Sequence, residues 1–258
     1  MKNLADQTAI VSGALGDIGG AIARELARLG AKVALGDVLP DSDARNALDE
    51  LRGLGTRARY DRVDVSDADA VAQWVAAVEK DLGVASLIIP NAAIVTLAGF
   101  RQVTPQQWAK ELSINLSGAF HLAQAATLRL IEAKRGGRVV FIGSWAAHAP
   151  HPNIPTYCAA KAGLRMLCKC MALELAPFDI LVNEVAAGYV NAGLSADLWA
   201  KNPGARERAA LRVPTGQLIE PEEVALQVAR LCDPSNRHMT GATLLMDGGL
   251  SLVTPANK

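Results

Sequence analysis

The chain has 258 residues, half of them hydrophobic, and its 26 lysine and arginine residues balance 26 aspartate and glutamate residues. This length suits one large domain, and a neutral balance without a basic block argues against a nucleic-acid-binding surface. Residues 1–10 lack the apolar stretch of a signal peptide, and no apolar run approaches the ~20 residues of a membrane span, so we expect a cytoplasmic protein. The four cysteines show no paired C-x-x-C spacing, and we expect reduced thiols and no metal.

Short β-rich runs alternate along the chain with longer segments of helical spacing. Such alternation predicts βαβ units, and hence a seven-stranded parallel sheet with helices on both faces. No linker or internal repeat divides residues 1–258, so we expect a single α/β, doubly wound (Rossmann) domain. The predicted strands lie near 8–12, 32–36, 57–63, 85–89, 137–143, 180–186 and 242–246. The predicted helices lie near 18–29, 43–54, 67–82, 104–134, 156–176, 194–212 and 221–232.

The first predicted strand runs into a glycine-rich turn, "SGALGDIGG" at 12–20, and a helical run follows. A strand, such a turn and a helix start together form a cradle for phosphate groups. The turn does not match G-x-G-x-x-G, and the lack of a G-K-[ST] ending excludes a Walker A loop. We expect Asp17 to be the N-cap or a first-turn residue, with its carboxylate on the helix amides. The predicted cofactor-binding residues of the turn are Ser12, Gly13, Gly16, Asp17, Ile18 and Gly19.

Acidic and small residues follow the next three predicted strands. Asp37 can accept both ribose hydroxyls of adenosine, which favours NAD over a cofactor with a 2′-phosphate. Asp17 supports the same preference, because residues 14–18 offer no Lys or Arg to a 2′-phosphate. All these positions follow carboxyl ends of strands, where open α/β sheets bind ligands. Further candidates, for the adenine edge and for space beside the cofactor, are Asp64, Val65, Asn91, Ala92 and Ala93.

A possible catalytic group lies between the fifth predicted strand and the helix after it. Tyr157 and Lys161 are four residues apart and therefore neighbours on one helix face. A lysine ammonium one turn away favours the phenolate and should lower the tyrosine pKa from about 10. Ser144, at the end of the buried strand "VVFIGS", can hold the oxygen of a substrate.

Together these features resemble the short-chain dehydrogenase/reductase family over essentially the whole chain. The turn is similar to the family's T-G-x-x-x-G-x-G, with Ser12 for the threonine and Asp17 for the middle glycine. The run "NAA" at 91–93 resembles its N-A-G, and "DGG" at 247–249 resembles its last-strand ending. The four catalytic residues of the family match Asn115, Ser144, Tyr157 and Lys161.

The resemblance implies hydride transfer between nicotinamide C4 and a carbinol or carbonyl carbon. It implies that Tyr157 is the general acid/base and that Lys161 lowers its pKa and binds the nicotinamide ribose, so both also contact the cofactor. Ser144 would position the substrate oxygen, and Asn115 would hold a water in a proton relay to Lys161. The family also implies a homotetramer, formed through helices 104–134 and 156–176 and through the C-terminal strand.

Two positions depart from the family pattern after the sixth strand. Ala187 replaces a proline, and Ala192 stands where a threonine binds the nicotinamide carboxamide. We therefore expect backbone groups at Gly188 and Val190 to take part in holding the cofactor. The segment 187–213 that follows is predicted to be a mobile substrate lid, with an ordinary connecting helix pair as the alternative.

Flat rings and hydrogen-bonding groups around the catalytic residues suit a hydroxylated small molecule. We therefore predict an NAD-dependent dehydrogenase of a sugar or polyol. The alternatives are a reductase of hydrophobic ketones, such as 3-oxoacyl or steroid-like compounds, and a non-catalytic nucleotide-sensing protein. The predicted substrate residues are Ser144, Trp145, His148, His151, Asn153, Tyr157, Tyr189, Asn191 and Trp199.

Overall fold

The computed structural model describes residues 4–193, 199 and 204–253. In this part of the chain seven strands form one sheet in the order β3-β2-β1-β4-β5-β6-β7, and every pairing is parallel. The predicted sheet is thus confirmed, and the strand order reverses direction between β1 and β4, where such sheets bind ligands. The strands are β1 (Thr8–Ser12), β2 (Lys32–Asp37), β3 (Ala58–Arg62), β4 (Leu87–Ile89), β5 (Gly137–Ser144), β6 (Ile180–Ala187) and β7 (Thr243–Met246).

The helices begin where the sequence supplies start signals. The Asp67 side chain accepts two backbone N–H bonds at the start of the third helix. Thr104 and Gln107 form a capping box before the fourth, which has proline at its first position. The helices are α1 (Asp17–Arg28), α2 (Arg45–Gly53), α3 (Ala68–Leu82), α4 (Pro105–Leu112), α5 (Ala119–Glu132), α6 (Pro155–Leu175), α7 (Ala205–Arg212) and α8 (Pro221–Leu231).

Two predicted helices differ from the structure. The single helix expected over 104–134 is divided into α4 and α5 by a π-helical turn, Ser113–Gly118. Such turns are rare and occur often at functional sites. Of the helix expected over 194–212, residues 194–198 and 200–203 lie outside the described residues, so the structure shows its C-terminal part as α7.

Alternating side chains of the strands build one hydrophobic core on each face of the sheet. From β1, Ala9 and Val11 join the core formed with α1 and α8, and Ile10 joins the core formed with α3, α5 and α6. This two-sided burial explains the continuous apolar runs of the central strands. Among the described residues, no helix has the length and apolar character that crossing a membrane would need.

Candidate active site

A hydrogen-bond network joins the ends of β1 and β4. The Ser12 hydroxyl accepts the backbone N–H groups of Asn91 and Ala92 at 3.0 and 3.2 Å. The Asn91 amide in turn donates to the carbonyls of Ser12 and Gly13, both at 3.0 Å. Ser12 and Asn91 therefore shape the glycine-rich turn by fixing it against the neighbouring strand end.

The glycines of the turn are required by close backbone approaches. Gly13 has a φ of +62°, and a Cβ there would lie 2.8 Å from the Ala92 Cα. A Cβ on Gly19 would lie 2.9 Å from the Ala14 Cα. Gly16 is the N-cap of α1 and carries no side chain over the first helical amides. A bare turn that leads into a helix N-terminus fits the pyrophosphate of a dinucleotide.

Asp17 has a different role from the one predicted. It lies in the first turn of α1, but the N-cap is Gly16, which makes no side-chain capping bond. The Asp17 carboxylate accepts the backbone N–H of Gly193 at 2.7 Å instead. The expectation that it binds the helix amides is therefore wrong. Its carboxylate connects the glycine-rich turn to the loop after β6, because that loop passes over the start of α1.

Asp37 ends β2 beside the glycine-rich turn. One carboxylate oxygen accepts the N–H of Leu15 at 3.1 Å, and the other accepts the N–H of Val38 at 2.8 Å. These bonds fix the carboxylate at the rim of the turn. Arg62 is the neighbour of Asp37 in β3, and its exposed side chain donates to the Val38 carbonyl at 3.0 Å. An acid and a base thus lie together where a nucleotide ribose would bind.

The loop after β3 carries the predicted adenine contacts. The Asp64 carboxylate accepts both the N–H and the hydroxyl of Ser66, at 2.9 and 2.7 Å. Val65 is buried, and its carbonyl contacts a His121 ring nitrogen at 2.9 Å. Gly118 in the π-helical turn packs against Val65, since a Cβ there would lie 2.6 Å from the valine side chain.

Asn115 lies within the π-helical turn and is almost completely buried. Its side-chain oxygen accepts the N–H of Ile94 at 2.9 Å, and its amide donates to the Ile94 carbonyl at 2.8 Å. Both functional groups of the side chain are therefore used to hold the loop after β4. A role in a proton relay through bound water stays a prediction.

Ser144, Tyr157 and Lys161 meet at the carboxyl end of β5. The Ser144 hydroxyl accepts the N–H of Ala146 at 3.1 Å, and its side chain is close enough to Tyr157 to lower the pKa of the phenol. The Lys161 ammonium donates to the Ile142 carbonyl at 2.7 Å. It lies 5.5 Å from the centroid of the Tyr157 ring. The four residues matched by sequence are thus organised around one strand end and the loop beside it.

Comparison with known proteins agrees with this geometry. The family model described as enoyl-(acyl carrier protein) reductase matches residues 13–251. L-rhamnose 1-dehydrogenase (NAD(P)(+)) of Azotobacter vinelandii is 34% identical over 96% of this chain and 97% of its own length. Cis-4-hydroxycyclohexanecarboxylate dehydrogenase of Sinomonas cyclohexanicum is 35% identical over 96% and 98%. A short-chain type dehydrogenase/reductase structure from Mycobacterium marinum superposes with a TM-score of 0.90 at 29% identity, covering 96% of each chain.

The chain belongs to the short-chain dehydrogenase/reductase family. It is an NAD(P)-dependent oxidoreductase that acts on alcohols. Fold and family predictions are both confirmed, and the site can be read as that of a dehydrogenase.

The pKa values of Tyr157 and Lys161, the predicted acid–base residues, are set mainly by burial. Burial raises the pKa of Tyr157 to about 12, although the Ser144 hydrogen bond lowers it. Burial lowers the pKa of Lys161 to about 8, although the charge of Glu184 raises it. The expectation that Lys161 brings the tyrosine pKa below 10 is therefore wrong for the polypeptide by itself. Desolvation is the largest cause of both pKa shifts.

The predicted substrate residues of the dehydrogenase divide into two places. The Trp145 ring makes edge contacts with His151 and Tyr189, at centroid distances of 4.3 and 5.5 Å. Burial lowers the pKa of His151, whose Nε2 is buried without a partner among the described residues. These three rings form what we call the aromatic wall, next to Ser144. His148 and Asn153 are exposed in the adjoining loop.

The Asn191 side chain is bonded to other loop residues. Its amide donates to Glu220 and accepts from Arg206, both at 2.8 Å. The predicted substrate contact is therefore not favoured, because loop residues already occupy the amide.

The other candidates after β6 have backbone roles or remain open. The Gly188 N–H donates to the Met246 carbonyl at 2.9 Å, and Val190 forms a bridge with Ile219. Ala187 and Ala192, the two departures from the family pattern, are both buried. Trp199 is partly buried between stretches outside the described residues, so its substrate contact and the lid at 187–213 stay predictions.

Sequence reasoning missed a buried ion pair beneath Ser144. Arg165 donates to both carboxylate oxygens of Glu184, at 2.8 and 3.2 Å, and to the Ser144 carbonyl at 3.2 Å. Thr243 in β7 donates to the same carboxylate at 2.7 Å. The available signal was that Arg165 follows Lys161 by one helical turn. The pair supports the strand end that presents Ser144.

A second missed residue is Glu111, which is fully buried on α4. It precedes Asn115 by four residues, a spacing that places both side chains on one helix face. The signal in the sequence was a charged residue one helical turn before Asn115, on the helix face that Asn115 shares.

Proposed function

We propose that this dehydrogenase transfers a hydride between NAD and a ring or chain carbinol of a sugar or polyol. The observation that carries the proposal is the position of Tyr157 beside buried Lys161 at the strand end that bears Ser144, next to the aromatic wall. The relatives named above act on a sugar and on a hydroxylated ring. Both substrates carry a hydroxyl group on a ring carbon, and the hydroxyl groups of Ser144 and Tyr157 could hold its oxygen.

In the proposed mechanism Tyr157 accepts the proton of the substrate hydroxyl and Ser144 holds its oxygen. Lys161, with a pKa of about 8, can gain and lose a proton near neutral pH and would pass it onward. The nicotinamide ring, when bound, supplies the hydride acceptor or donor. Asn115 keeps the loop after β4 in place through Ile94. The protein residues bind and orient the reactants, and the redox chemistry belongs to the cofactor.

The cofactor would bind across the ends of β1 and β4. Gly13, Gly16 and the first amides of α1 would receive the pyrophosphate. The Asp37 carboxylate would accept the adenosine ribose hydroxyls and would repel a 2′-phosphate, which favours NAD. Exposed Arg62 beside it is the group that would compete by attracting a 2′-phosphate. The preference therefore depends on which of these two charges faces the ribose.

The aromatic wall supports a hydroxylated substrate. A buried ring nitrogen without a partner, such as His151 Nε2, costs about 1–3 kcal/mol. A substrate hydroxyl could pair with it, whereas a hydrophobic ketone could not. Reduction of 3-oxoacyl or related ketones is the second candidate, favoured by the similarity to the 3-oxoacyl-[acyl-carrier-protein] reductase of Vibrio cholerae, which is 32% identical over 97% of this chain and 100% of its own length. The complete catalytic group disfavours a nucleotide sensor without turnover.

We also propose a homotetramer. Large apolar side chains on α5 and α6 are exposed in the single chain, among them Leu128, Met166 and Leu173 at 52%, 58% and 84%. The edge strand β7 exposes Leu245 in addition. A second copy packed on each surface would remove these side chains from water. Sedimentation of the purified protein would measure the assembly directly.

A substrate screen tests the proposed function. L-rhamnose, other aldoses, and linear and cyclic polyols would be assayed for reduction of NAD and NADP in parallel. A set of hydrophobic ketones would be assayed for oxidation of NADH and NADPH, with all reactions followed by the absorbance of the reduced cofactor. We expect the sugars or polyols to be oxidised with NAD and the ketones to react poorly. Rapid reduction of a hydrophobic ketone, with no turnover of any sugar or polyol, would overturn the substrate assignment. The Tyr157→Phe variant is the control for turnover by this site.

A further inference from the structure

The carboxyl end of β5 in the dehydrogenase extends beyond the neighbouring strand β4. The register of β5 with β4 ends at Val139, whereas its register with β6 continues to Ser144. Ile142 faces the β4 side, where its N–H donates to the Pro90 carbonyl at 3.3 Å, and Ser144, two residues later, faces the same side. The carbonyl groups of Ile142 and Ser144 therefore need hydrogen-bond donors from outside the sheet.

Two basic side chains of α6 supply these donors. The Lys161 ammonium donates to the Ile142 carbonyl at 2.7 Å. The Arg165 guanidinium donates to the Ser144 carbonyl at 3.2 Å. The two cations are four residues apart and share one helix face, just as the two carbonyl groups share one edge of the strand. Arg165 therefore contacts the strand end in the same way as Lys161, although only Lys161 is among the four residues matched to the family.

The carbonyl that Arg165 binds belongs to the peptide unit between Ser144 and Trp145. This unit joins two parts of the substrate side, the serine hydroxyl and the central ring of the aromatic wall. The next carbonyl, that of Trp145, accepts the N–H groups of His148 and Ala149 at 2.8 and 3.1 Å. Because a peptide unit is planar, a bond that fixes its carbonyl also fixes the directions in which the two flanking residues leave it.

Arg165 is itself held in place by Glu184 of β6. Its Nε and Nη2 donate to the two carboxylate oxygens at 2.8 and 3.2 Å, and Thr243 of β7 donates to the same carboxylate at 2.7 Å. The side chain of Glu184 is 0% exposed and that of Arg165 is 12% exposed. Gly143 leaves room for the carboxylate, since a Cβ there would overlap it. A two-pronged arginine–carboxylate pair has a defined geometry, so the guanidinium is already oriented where it meets the Ser144 carbonyl.

We propose that Arg165 is a positioning residue of the active site, because its guanidinium fixes the Ser144–Trp145 peptide. Glu184 and Thr243 fix the guanidinium in turn. Arg165 does not touch the substrate; it acts through the serine hydroxyl and the indole ring, whose positions depend on that peptide. Without this donor the strand end opens more often, and the substrate oxygen is held less often in the reactive position. The inference rests on the proposed role of Ser144 in holding the substrate oxygen.

The experiment uses the full-length double variant Arg165→Met with Glu184→Gln, which removes the donor to Ser144 without leaving a buried charge unpaired. Hydrogen–deuterium exchange, followed by mass spectrometry, is compared with wild type in a peptide that spans 144–149. Its reporter amides are that of Ala146, bonded to the Ser144 hydroxyl, and the two bonded to the Trp145 carbonyl. We expect these amides to exchange about 10–150-fold faster, the equilibrium factor for one hydrogen bond to a charged group.

A second variant tests the same chain of contacts with a smaller change. Thr243→Val keeps the shape of the side chain and leaves the Arg165–Glu184 pair intact, but it removes the third hydrogen bond to the carboxylate. Exchange in the peptide 144–149 should be about 2–10-fold faster, the factor for a hydrogen bond of ordinary strength. This variant decides the question by itself if the double variant does not fold.

Arg129→Met with Glu132→Gln is the matched control, because it removes the same two charges from an exposed pair at the far end of α5. It should leave exchange in 144–149 unchanged. Wild-type exchange in 144–149 of the variants overturns the role of Arg165, and so does an equal acceleration in the peptide 12–20, which would mean a general loss of stability.

Kinetics link the exchange result to the substrate. With the best substrate of the screen, the Arg165→Met, Glu184→Gln enzyme should have a higher KM and a lower kcat, whereas the Kd for NAD should not change. Wild-type kinetics alongside faster exchange would overturn the effect on the substrate oxygen. Undiminished turnover by Tyr157→Phe would instead overturn the proposed function and would leave the exchange result standing.

Discussion

The cofactor side and the substrate side of this dehydrogenase differ in how their polar groups are satisfied. On the cofactor side, Ser12, Asn91 and Asp37 each bond to nearby backbone groups. On the substrate side, His151 Nε2 in the aromatic wall is buried without a partner among the described residues. The chain itself completes the hydrogen bonds of the cofactor side, whereas the substrate side leaves a polar atom for a ligand or for water.

The largest expected effect concerns the support of the catalytic serine. Arg165→Met should lower the free energy of unfolding by about 3–5 kcal/mol, because it leaves the fully buried Glu184 carboxylate without its cation. Chemical denaturation measures the change. The double variant Arg165→Met with Glu184→Gln should recover much of the loss, since no buried charge remains. A double variant as unstable as the single one would show that packing, not charge, is responsible.

The next effect separates chemistry from binding. Tyr157→Phe removes the titrating oxygen and keeps the ring, so turnover should fall at least ~100-fold, the lower end for one acid–base group. The Kd for NAD should hardly change, because the cofactor side remains intact. Steady-state kinetics and fluorescence titration measure the two quantities. Near-normal turnover would remove Tyr157 from its assigned role.

Asp37 tests how far the cofactor side determines nucleotide preference. A hydrogen bond to a charged group contributes about 1.5–3 kcal/mol, so Asp37→Ala should weaken NAD binding roughly 10–150-fold. Binding of NADP should improve at the same time, because Arg62 is left beside the ribose. In the double variant Asp37→Ala with Arg62→Ala, the improved binding of NADP should disappear, whereas the weakened binding of NAD should remain. A wild-type enzyme that prefers NADP in parallel titrations contradicts the assignment.

A variant of His151 tests whether the unpartnered nitrogen on the substrate side binds the substrate. His151→Phe keeps a flat ring against Trp145 but removes the unpartnered nitrogen. We expect the KM for the best sugar or polyol to rise roughly 5–100-fold, corresponding to about 1–3 kcal/mol, with a smaller change in kcat. His148→Phe, in the exposed part of the same loop, is the control. If both variants behave alike, the aromatic wall does not bind substrate through His151.

The smallest expected effect concerns Asp17. Asp17→Ala removes the acceptor of the Gly193 N–H and should cost about 0.5–1.5 kcal/mol of stability at an exposed site. Turnover at saturating NAD should stay close to wild type. The stability of Asp17→Asn, which keeps an acceptor, should lie between those of wild type and Asp17→Ala. Thermal unfolding and initial rates measure these changes. Loss of turnover at full cofactor occupancy would reveal a chemical role for the carboxylate.

The sequence alone predicted the sheet and the order of its elements, and a family resemblance carried by its motifs supplied the four proposed catalytic positions. Alternating short and long apolar segments specify βαβ units because each period matches one kind of backbone. Spacing placed Tyr157 and Lys161 on one helix face because four residues make about one turn. Ser12, Gly13 and Gly16 could be found because a phosphate cradle needs a strand, a bare turn and a helix start in immediate succession.

Tertiary structure alone decided the contacts between distant segments. The Asp17 carboxylate binds Gly193 across 176 positions, a partner that no local capping rule could indicate. The pKa of Tyr157 rises mainly because of burial, which depends on packing from several elements. The partners of Glu111 and Arg165 were also decided by tertiary structure, because the energy of a buried charge depends on the groups packed around it. Local spacing therefore predicts which residues share a helix face, and tertiary packing decides which groups those residues contact and how deeply they are buried.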